Sequence, residues 1–503
     1  MVVDDVSAAE FLVSSGVARL LGVAFQDVAA ARREVTTLAS GPYTERVRSG
    51  FDSLLSRAEG LVTPEGWKFS PGGVLSEPNL MQKVVAVRVR DERRLGNWSG
   101  TGAGKTVSAL LASRVVGADV TLITCPNAVV STWVEAVNNV FPGTAKPYAK
   151  TLDVPVHVGV PVYLIVNYEH LQRPAAPREL AALAASGRVG MVVIDEIHQA
   201  KQRDENSQSI RRRNLQQFVD AAVLSNQELR VLGMSATPVI NNLVEGTSLL
   251  RLITGDESTI GADPTVSNCM ALHQALVRHG IRWMPRYEST LAYQEVPVDC
   301  TDELKELQAL QPRAGVLAIE QILTRARLRV LREQVRPKTL VYTHLRSGIV
   351  EQLVEAFEED GYRVGCFTGV DKSGLPGFLQ GDVDVLVATS SIGTGVDGLQ
   401  RVCNRVLVNV LPWTDADYTQ LKGRVWRQGQ QADKVDFIVP VTQAQLRGET
   451  WSWCQMKLDR LRYKRSIADA AVDGTIPDEY LRTPEQAAED ALAWLRRLSR
   501  DAG

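Results

Sequence analysis

The chain has 503 residues, with 56 Lys and Arg against 58 Asp and Glu, a formal net charge of -2. Hydrophobic residues make up 45% and charged residues 23%. That is the composition of a folded globular protein, and it excludes both a disordered tail and a uniformly basic nucleic-acid coat, though not a local basic groove. Six cysteines (Cys125, Cys269, Cys300, Cys366, Cys403, Cys454) lie far apart without a CxxC pair, which argues against a zinc ribbon and for small buried thiols in a reducing interior.

In chain order, residues 1–74 read as a helical N-terminal region, with Leu12, Val17, Leu20, Leu21 and Phe25 at helical spacing. The run Ser70-Pro71-Gly72-Gly73 punctuates its end. Residues 75–290 alternate short apolar strands, expected at 120–124, 162–166, 191–194 and 230–234, with helical patterns. Residues 291–465 repeat the alternation, with strands expected at 339–342, 364–367, 383–388 and 405–410. Strands alternating with helices predict an α/β fold with two parallel sheets. Residues 466–503 read as a helical tail: Thr483-Pro484-Glu485-Gln486 is a helix start, and Ala487, Ala491, Trp494, Leu495 and Leu498 form one apolar stripe. The N-terminus lacks a basic segment followed by a long apolar core, and runs such as 189–194 are far shorter than the ~20 residues a membrane span needs. The expectation is a soluble, cytoplasmic protein with no membrane partner.

Ser99-Gly100-Thr101-Gly102-Ala103-Gly104-Lys105-Thr106 precedes a helical run. Glycines let backbone N–H groups wrap a triphosphate, and a helix N-terminus adds a favourable dipole. Lys105 would reach the β- and γ-phosphates of ATP and Thr106 would hold Mg²⁺. A strict phosphate loop has Gly at position 99; a glycine-rich turn without a ligand is the competing reading. About 90 residues on, Met191-Val192-Val193-Ile194-Asp195-Glu196-Ile197-His198 is a buried strand ending in two carboxylates. A parallel strand delivers side chains to its carboxyl end, where α/β sites collect. Asp195 would bind the Mg²⁺ shell and Glu196 would orient and deprotonate the attacking water.

These motifs, with four more in order, resemble the motor of superfamily-2 helicases, in particular a compact bacterial or phage type of the Swi/Snf-like branch. Gly233-Met234-Ser235-Ala236-Thr237-Pro238 resembles the linking motif after the acidic strand. Cys125-Pro126 followed by Trp133 resembles a first-lobe nucleic-acid motif. Ala388-Thr389-Ser390-Ser391-Ile392-Gly393-Thr394-Gly395-Val396-Asp397 resembles motif V, and Gln420-Leu421-Lys422-Gly423-Arg424-Val425-Trp426-Arg427-Gln428-Gly429-Gln430, led in by Leu411-Pro412-Trp413, resembles motif VI. Ile197 stands where the family has Ala, and the Gly-Val-Asp ending of motif V is the general superfamily-2 form.

The resemblance implies two RecA-like lobes and a nucleic-acid-stimulated ATPase using ATP and Mg²⁺. Catalysis would fall to Lys105, Asp195, Glu196, Arg424 and Arg427, the two arginines sharing one helical face. Nucleotide contacts would come from Gln82, Gly100, Thr101, Gly102, Ala103, Gly104, Lys105, Thr106, Gly395 and Asp397. His198, Ser235, Thr237 and Gln420 would couple nucleotide to nucleic acid, and Pro126, Thr389, Ser390 and Thr394 would touch it. For His198, Ser235 and Thr237 the alternative is ordinary hydrogen bonding or strand-end capping. Gln82 is a one-residue match that a surface Gln would also give.

Three basic runs are further candidates: Arg325 to Lys338, Arg211-Arg212-Arg213, and Trp451 to Arg465. Arginine with interleaved aromatics suits backbone tracking, but each run also reads as a solvated helix face. The function read from all this is ATP-driven movement on a nucleic acid, double-stranded DNA first. The alternatives are a strand-separating DNA or RNA helicase, and an ATP-switched nucleic-acid-binding subunit of a restriction or defence complex.

Overall fold

A computed structural model of the chain describes residues 44–475 together with 29, 32 and 33, apart from 156–158, 203–207, 258, 286, 311–314, 394–395, 397 and 447–448. The apolar positions 12–25 and the stripe at 487–498 lie outside the described residues. Two compact units result. The first comprises residues up to Pro285 plus Ile467–Ile476, and the second runs from Arg286 to Ser466 and from Pro477 onward.

The first unit is built on a seven-stranded, all-parallel sheet in the order β3-β4-β2-β5-β6-β1-β7. Its strands are β1 (Arg94–Asn97), β2 (Val120–Cys125), β3 (Lys146–Ala149), β4 (Val162–Asn167), β5 (Val189–Asp195), β6 (Arg230–Met234) and β7 (Gly280–Ile281). Around them run α1 (Thr44–Glu59), α2 (Leu80–Glu92), α3 (Lys105–Val115), α4 (Val130–Val140), α5 (Ala176–Ala185), α6 (Ile210–Ser225), α7 (Leu243–Thr254) and α8 (Val266–Arg278). The central strands β2, β4 and β5 are covered on both faces, which is why they read as unbroken apolar runs. Phe51, Leu54 and Leu55 of α1, with Trp67, join the core under α2 and α3, so the described part of the N-terminal region is built into this unit.

The second unit holds β8 (Thr290–Asp299), α9 (Leu304–Ala309), α10 (Val316–Gln334), β9 (Thr339–Thr343), α11 (Ile349–Glu359), β10 (Val364–Phe367), α12 (Gly374–Gln380), β11 (Val385–Ala388), α13 (Leu399–Val402), β12 (Arg405–Val410), α14 (Asp415–Val425), β13 (Lys434–Leu446) and β14 (Glu449–Trp451). The sheet order is β10-β11-β9-β12-β13-β14, with β8 also paired to β13. Only β14 runs antiparallel. Both units are therefore parallel-sheet α/β bodies of the tandem RecA-like kind. Helix α15 (Trp453–Ala468) then carries the chain back to the first unit.

Strands β6, β10 and β12 have the limits expected from sequence. Strands β1, β3, β7, β8, β13 and β14 were not expected. β1 is only Arg-Leu-Gly-Asn, and Gly96 is needed there because a Cβ would lie 2.0 Å from the Trp98 ring. β8 and β13 pair over ten residues, but β8 has mixed exposure and its polar residues break the apolar pattern. Among the described residues no helix is long and apolar enough to cross a membrane.

Candidate functional site

The carboxyl ends of three neighbouring strands stop level. Asp195 at the end of β5 and Asn97 at the end of β1 both pair with Met234 of β6. With neighbouring strands about 4.8 Å apart, the root of the glycine loop and the acidic pair stand roughly 10 Å apart.

The loop from Trp98 to Gly104 leads directly into α3. Gly102 and Gly104 have φ of 78° and 80°, conformations that favour glycine, and Gly104 is the N-cap of α3. Gly100 donates its N–H to the Trp283 carbonyl at 2.8 Å. The Ser99 hydroxyl accepts the Trp283 N–H at 3.1 Å, and Ser99 is fully buried. That bond is the physical reason for a serine where the strict phosphate loop has glycine. Lys105 Nζ donates to the carbonyls of Ser99 and Gly100 at 2.9 and 3.0 Å. Thr106 is half-buried in the first turn of α3.

Gln82 is buried and works as a cap. Its Oε1 accepts the Asn79 N–H while its own N–H bonds Asn79 Oδ1, a reciprocal capping box that opens α2. Its Nε2 lies against Gly104, 2.9 Å from where a Cβ would stand.

Asp195 is gripped on all sides. Its Oδ2 accepts the Trp133 indole N–H at 2.8 Å, its Oδ1 accepts the Glu196 N–H at 3.1 Å, and its carbonyl accepts the Tyr168 hydroxyl at 2.7 Å. Burial, then the charge of Glu196, holds the Asp195 carboxyl above the usual carboxylate range, against the pull of Trp133 and of the Lys105 ammonium. Glu196 turns out of the strand with φ 49° and ψ 50°. Its Oε2 sits 3.2 Å from His198 Nδ1, which is 2.9 Å from Ser235 Oγ; that oxygen also accepts the Thr237 N–H at 3.1 Å. His198 Nδ1 thus faces both the Glu196 carboxylate and the Ser235 hydroxyl, so that Glu196, His198 and Ser235, with the Thr237 N–H, form one polar cluster at the ends of β5 and β6. Ile197, in place of the family's Ala, packs its Cδ1 over Gly233, where a Cβ would stand 2.8 Å away.

In the second unit, residues Ser390–Gly393 form a short 3₁₀ turn after β11. Gln420 on α14 lies against Gly393. Arg424 donates from Nε and Nη2 to the Gly393 carbonyl (3.1 and 2.6 Å) and from Nη1 to the Val396 carbonyl (2.9 Å). It therefore braces the motif V backbone. Thr394, Gly395 and Asp397 lie outside the described residues.

Helix α14 ends at Val425 and Trp426 is extended, so Arg424 and Arg427 do not share a helical face. At this break the Trp426 indole donates to the Ser289 carbonyl at 2.9 Å and packs edge-on against Tyr287.

Two family models match the chain. Residues 76–240 match the type III restriction enzyme res subunit, and residues 320–429 match the helicase conserved C-terminal domain. The chain carries a superfamily-2 helicase core. Helicase domains of this kind imply an ATP-hydrolysing enzyme that binds ATP, with nucleic acid as partner. No curated protein matches the chain. Among solved structures, the helicase domain of Pyrococcus furiosus Hef is 14% identical, over 73% of this chain and 95% of that one, with a TM-score of 0.46.

The basic runs of the helicase core are mostly spent on internal pairing. Arg327 is buried and pairs with Glu320 at 2.6 Å; Lys457, also buried, takes the other Glu320 oxygen at 2.8 Å. Arg325 pairs with Glu306, Arg329 with Glu303, Arg332 with Asp360 and Arg462 with Glu295. Arg212 is buried and donates to the carbonyls of Ala200 and Ser248. Those arginines fall on buried faces or beside carboxylates, whereas Arg213, Arg336 and Arg465 are exposed.

Among the proposed nucleic-acid contacts, Ser390 is exposed. Thr389 is buried with its hydroxyl 3.3 Å from Ser391 Oγ, and Pro126 is buried at the end of β2. Neither presents a surface for contact. Trp133, read with that same motif, is buried and faces Asp195 instead.

Proposed function

We propose that this chain is an ATP-driven motor of the Swi/Snf-like branch that moves along duplex DNA without separating its strands. The observation that supports the ATPase half most is His198 set between the Glu196 carboxylate and the Ser235 hydroxyl at the end of the acidic strand. A solvated strand end has no need of it.

Lys105 exchanges its two loop carbonyls for β- and γ-phosphate oxygens, while the loop N–H groups take the rest of the triphosphate. The oxygen donors Asp195 and Thr106 suit Mg²⁺, which binds through few protein ligands plus phosphates. Two adjacent half-buried carboxylates, one of them held above its usual range, fit a cation as neighbour. Bound Mg²⁺ would neutralise phosphate charge. Glu196 takes the proton of the attacking water, His198 steers it, and Ser235 and Thr237 pass the change to the nucleic-acid side. Gln82, Gly395 and Asp397 complete the nucleotide contacts. Arg427 supplies charge to the transferring phosphoryl group, and Arg424, bonded to the motif V backbone, sets the shape of that loop with Gln420. Ser390 and Thr394 meet the phosphate backbone, while Thr389 and Pro126 shape their loops.

The duplex preference is supported by the Pro412-Trp413 lead-in and the Arg427-Gln428-Gly429-Gln430 ending of motif VI. Binding through phosphates makes affinity fall steeply with salt and show little sequence preference. The test is displacement of a triplex-forming strand compared with unwinding of a forked duplex. Triplex displacement with an intact fork supports the proposal; efficient fork opening makes the chain a strand-separating helicase. A second reading, an ATP-switched subunit of a restriction assembly, is favoured by the res-subunit match at residues 76–240. It predicts ATP-dependent DNA binding with neither activity.

A further inference from the structure

Three parts of the first unit meet at one guanidinium. Arg282 follows β7 directly, and its Nη1 donates to the carbonyl of Trp98 at 2.7 Å and to that of Ala236 at 3.4 Å. Trp98 is the root of the phosphate loop, and Ala236 lies between Ser235 and Thr237. The next residue, Trp283, is stitched to Ser99 and Gly100 through its backbone. The other edge of Arg282 faces the carboxylate of Asp473, Nη2 to Oδ2 at 3.0 Å and Nε to Oδ1.

Asp473 lies on the segment that returns to this unit after the second has been built. That segment, Asp469–Asp473, is a π-helical turn with Ala470, Ala471 and Val472 buried. It docks on α8 through His273, whose ring hydrogen-bonds to the backbone at Ala471 and Val472. A Cβ on Gly474 would stand 2.8 Å from that ring. A bidentate pair on a docked segment fixes the plane of the guanidinium, and so fixes where its remaining N–H groups point.

We propose that Arg282 is a positioning residue for ATP hydrolysis, holding the phosphate loop and the Ser235-Ala236-Thr237 turn in register, and that Asp473 locks it in place. The covalent path from the second unit through α15 thereby ends on the nucleotide site. The proposal rests on the ATPase reading above.

The test compares the wild-type chain with Asp473→Asn, Asp473→Glu and Arg282→Lys. Asp473→Asn is expected to lower kcat by about tenfold or more, the scale of a slightly misplaced catalytic geometry, with KM for ATP within about twofold. Asp473→Glu, which keeps the carboxylate, should restore most of the loss. Arg282→Lys, whose single ammonium cannot hold the two-point pair with Asp473 and reach the Trp98 and Ala236 carbonyls at once, should match Asp473→Asn. Amide hydrogen exchange tests the same claim without turnover: Asp473→Asn should speed exchange at residues 99–104 and 235–237. A wild-type kcat in Asp473→Asn, or faster exchange spread evenly over the unit, overturns the proposal while leaving the ATPase reading intact. A wild type without ATPase activity overturns that reading, and the exchange pattern still decides the role of Arg282.

Discussion

Trp133 and Asp195, 62 residues apart in the chain, are joined by a 2.8 Å hydrogen bond from the indole Nε1 to the carboxylate Oδ2. The indole is almost completely buried, so its task is to aim a carboxylate. Groups that orient a metal-binding carboxylate typically matter by 10–100-fold in metal affinity or activity. Trp133→Phe keeps most of the volume and loses the donor. The Mg²⁺ concentration for half-maximal ATPase should rise about tenfold or more, with metal-free nucleotide affinity little changed. A Mg²⁺ titration of the variant checks this, and an unshifted midpoint would refute it.

The lysine and the second carboxylate should separate binding from chemistry. Lys105→Ala should weaken ATP binding, because no other cation in the loop replaces the ammonium. Glu196→Gln should bind ATP normally and stop turnover. Equilibrium binding of a fluorescent nucleotide, read beside phosphate release, distinguishes the two; normal turnover in Glu196→Gln would remove its role in water activation.

The two motif VI arginines should behave differently from one another. Arg427→Ala should lower kcat by about 10³, the scale of an arginine finger, with a small effect on nucleotide affinity. Arg424→Ala frees the Gly393 and Val396 carbonyls, so it should loosen motif V and lower both kcat and DNA affinity. Steady-state kinetics with a DNA titration reads both, and identical profiles would contradict the separate roles.

The buried triad Glu320–Arg327–Lys457, with the Trp453 indole on Glu320 Oε1 at 2.9 Å, is a stability feature of the second unit. Burial works to raise the Glu320 pKa, yet Arg327 and Lys457 outweigh it and hold the group at about 2. A depressed carboxylate contributes stability above its unfolded pKa, near 4.5, and that contribution is lost as pH falls towards 2. Urea unfolding monitored in the second unit should therefore weaken below about pH 4.5. Glu320→Gln should cost about 3–5 kcal/mol, as expected for an orphaned buried pair, and should flatten that acid dependence. A variant as stable as wild type would contradict the assignment.

Much of this was legible in the chain, for reasons that can be named. Strands β2, β4 and β5 are covered on both faces, and continuous apolar runs such as Val162–Asn167 follow directly. The glycine loop and the Asp195-Glu196 strand end were legible because backbone chemistry restricts those positions to few residue types. The partners were not. Nothing local tells that Ser99 caps Trp283, that Trp133 faces Asp195, or that Arg282 meets Asp473, since each contact joins residues far apart in sequence. The arginine run before β9 left two readings open because charge was counted without direction. Glu320 stands two turns before Arg327 on the same face of α10, the one local sign that this arginine turns inward. Arg427 was read onto a helix because its spacing from Arg424 fits one, whereas the helix ends at Val425 and Trp426 is extended, its indole bonded to the distant Ser289 carbonyl.

A motor that moves along duplex DNA hydrolyses ATP fastest when duplex is present. The most direct measurement is the steady-state ATPase rate of the wild type with equal nucleotide concentrations of duplex DNA, single-stranded DNA and RNA, at two salt concentrations, with Glu196→Gln as the zero. The expected result is the largest stimulation by duplex DNA, lost steeply at the higher salt and independent of sequence. Stronger stimulation by single-stranded DNA or by RNA, or hydrolysis unchanged by any nucleic acid, would contradict it.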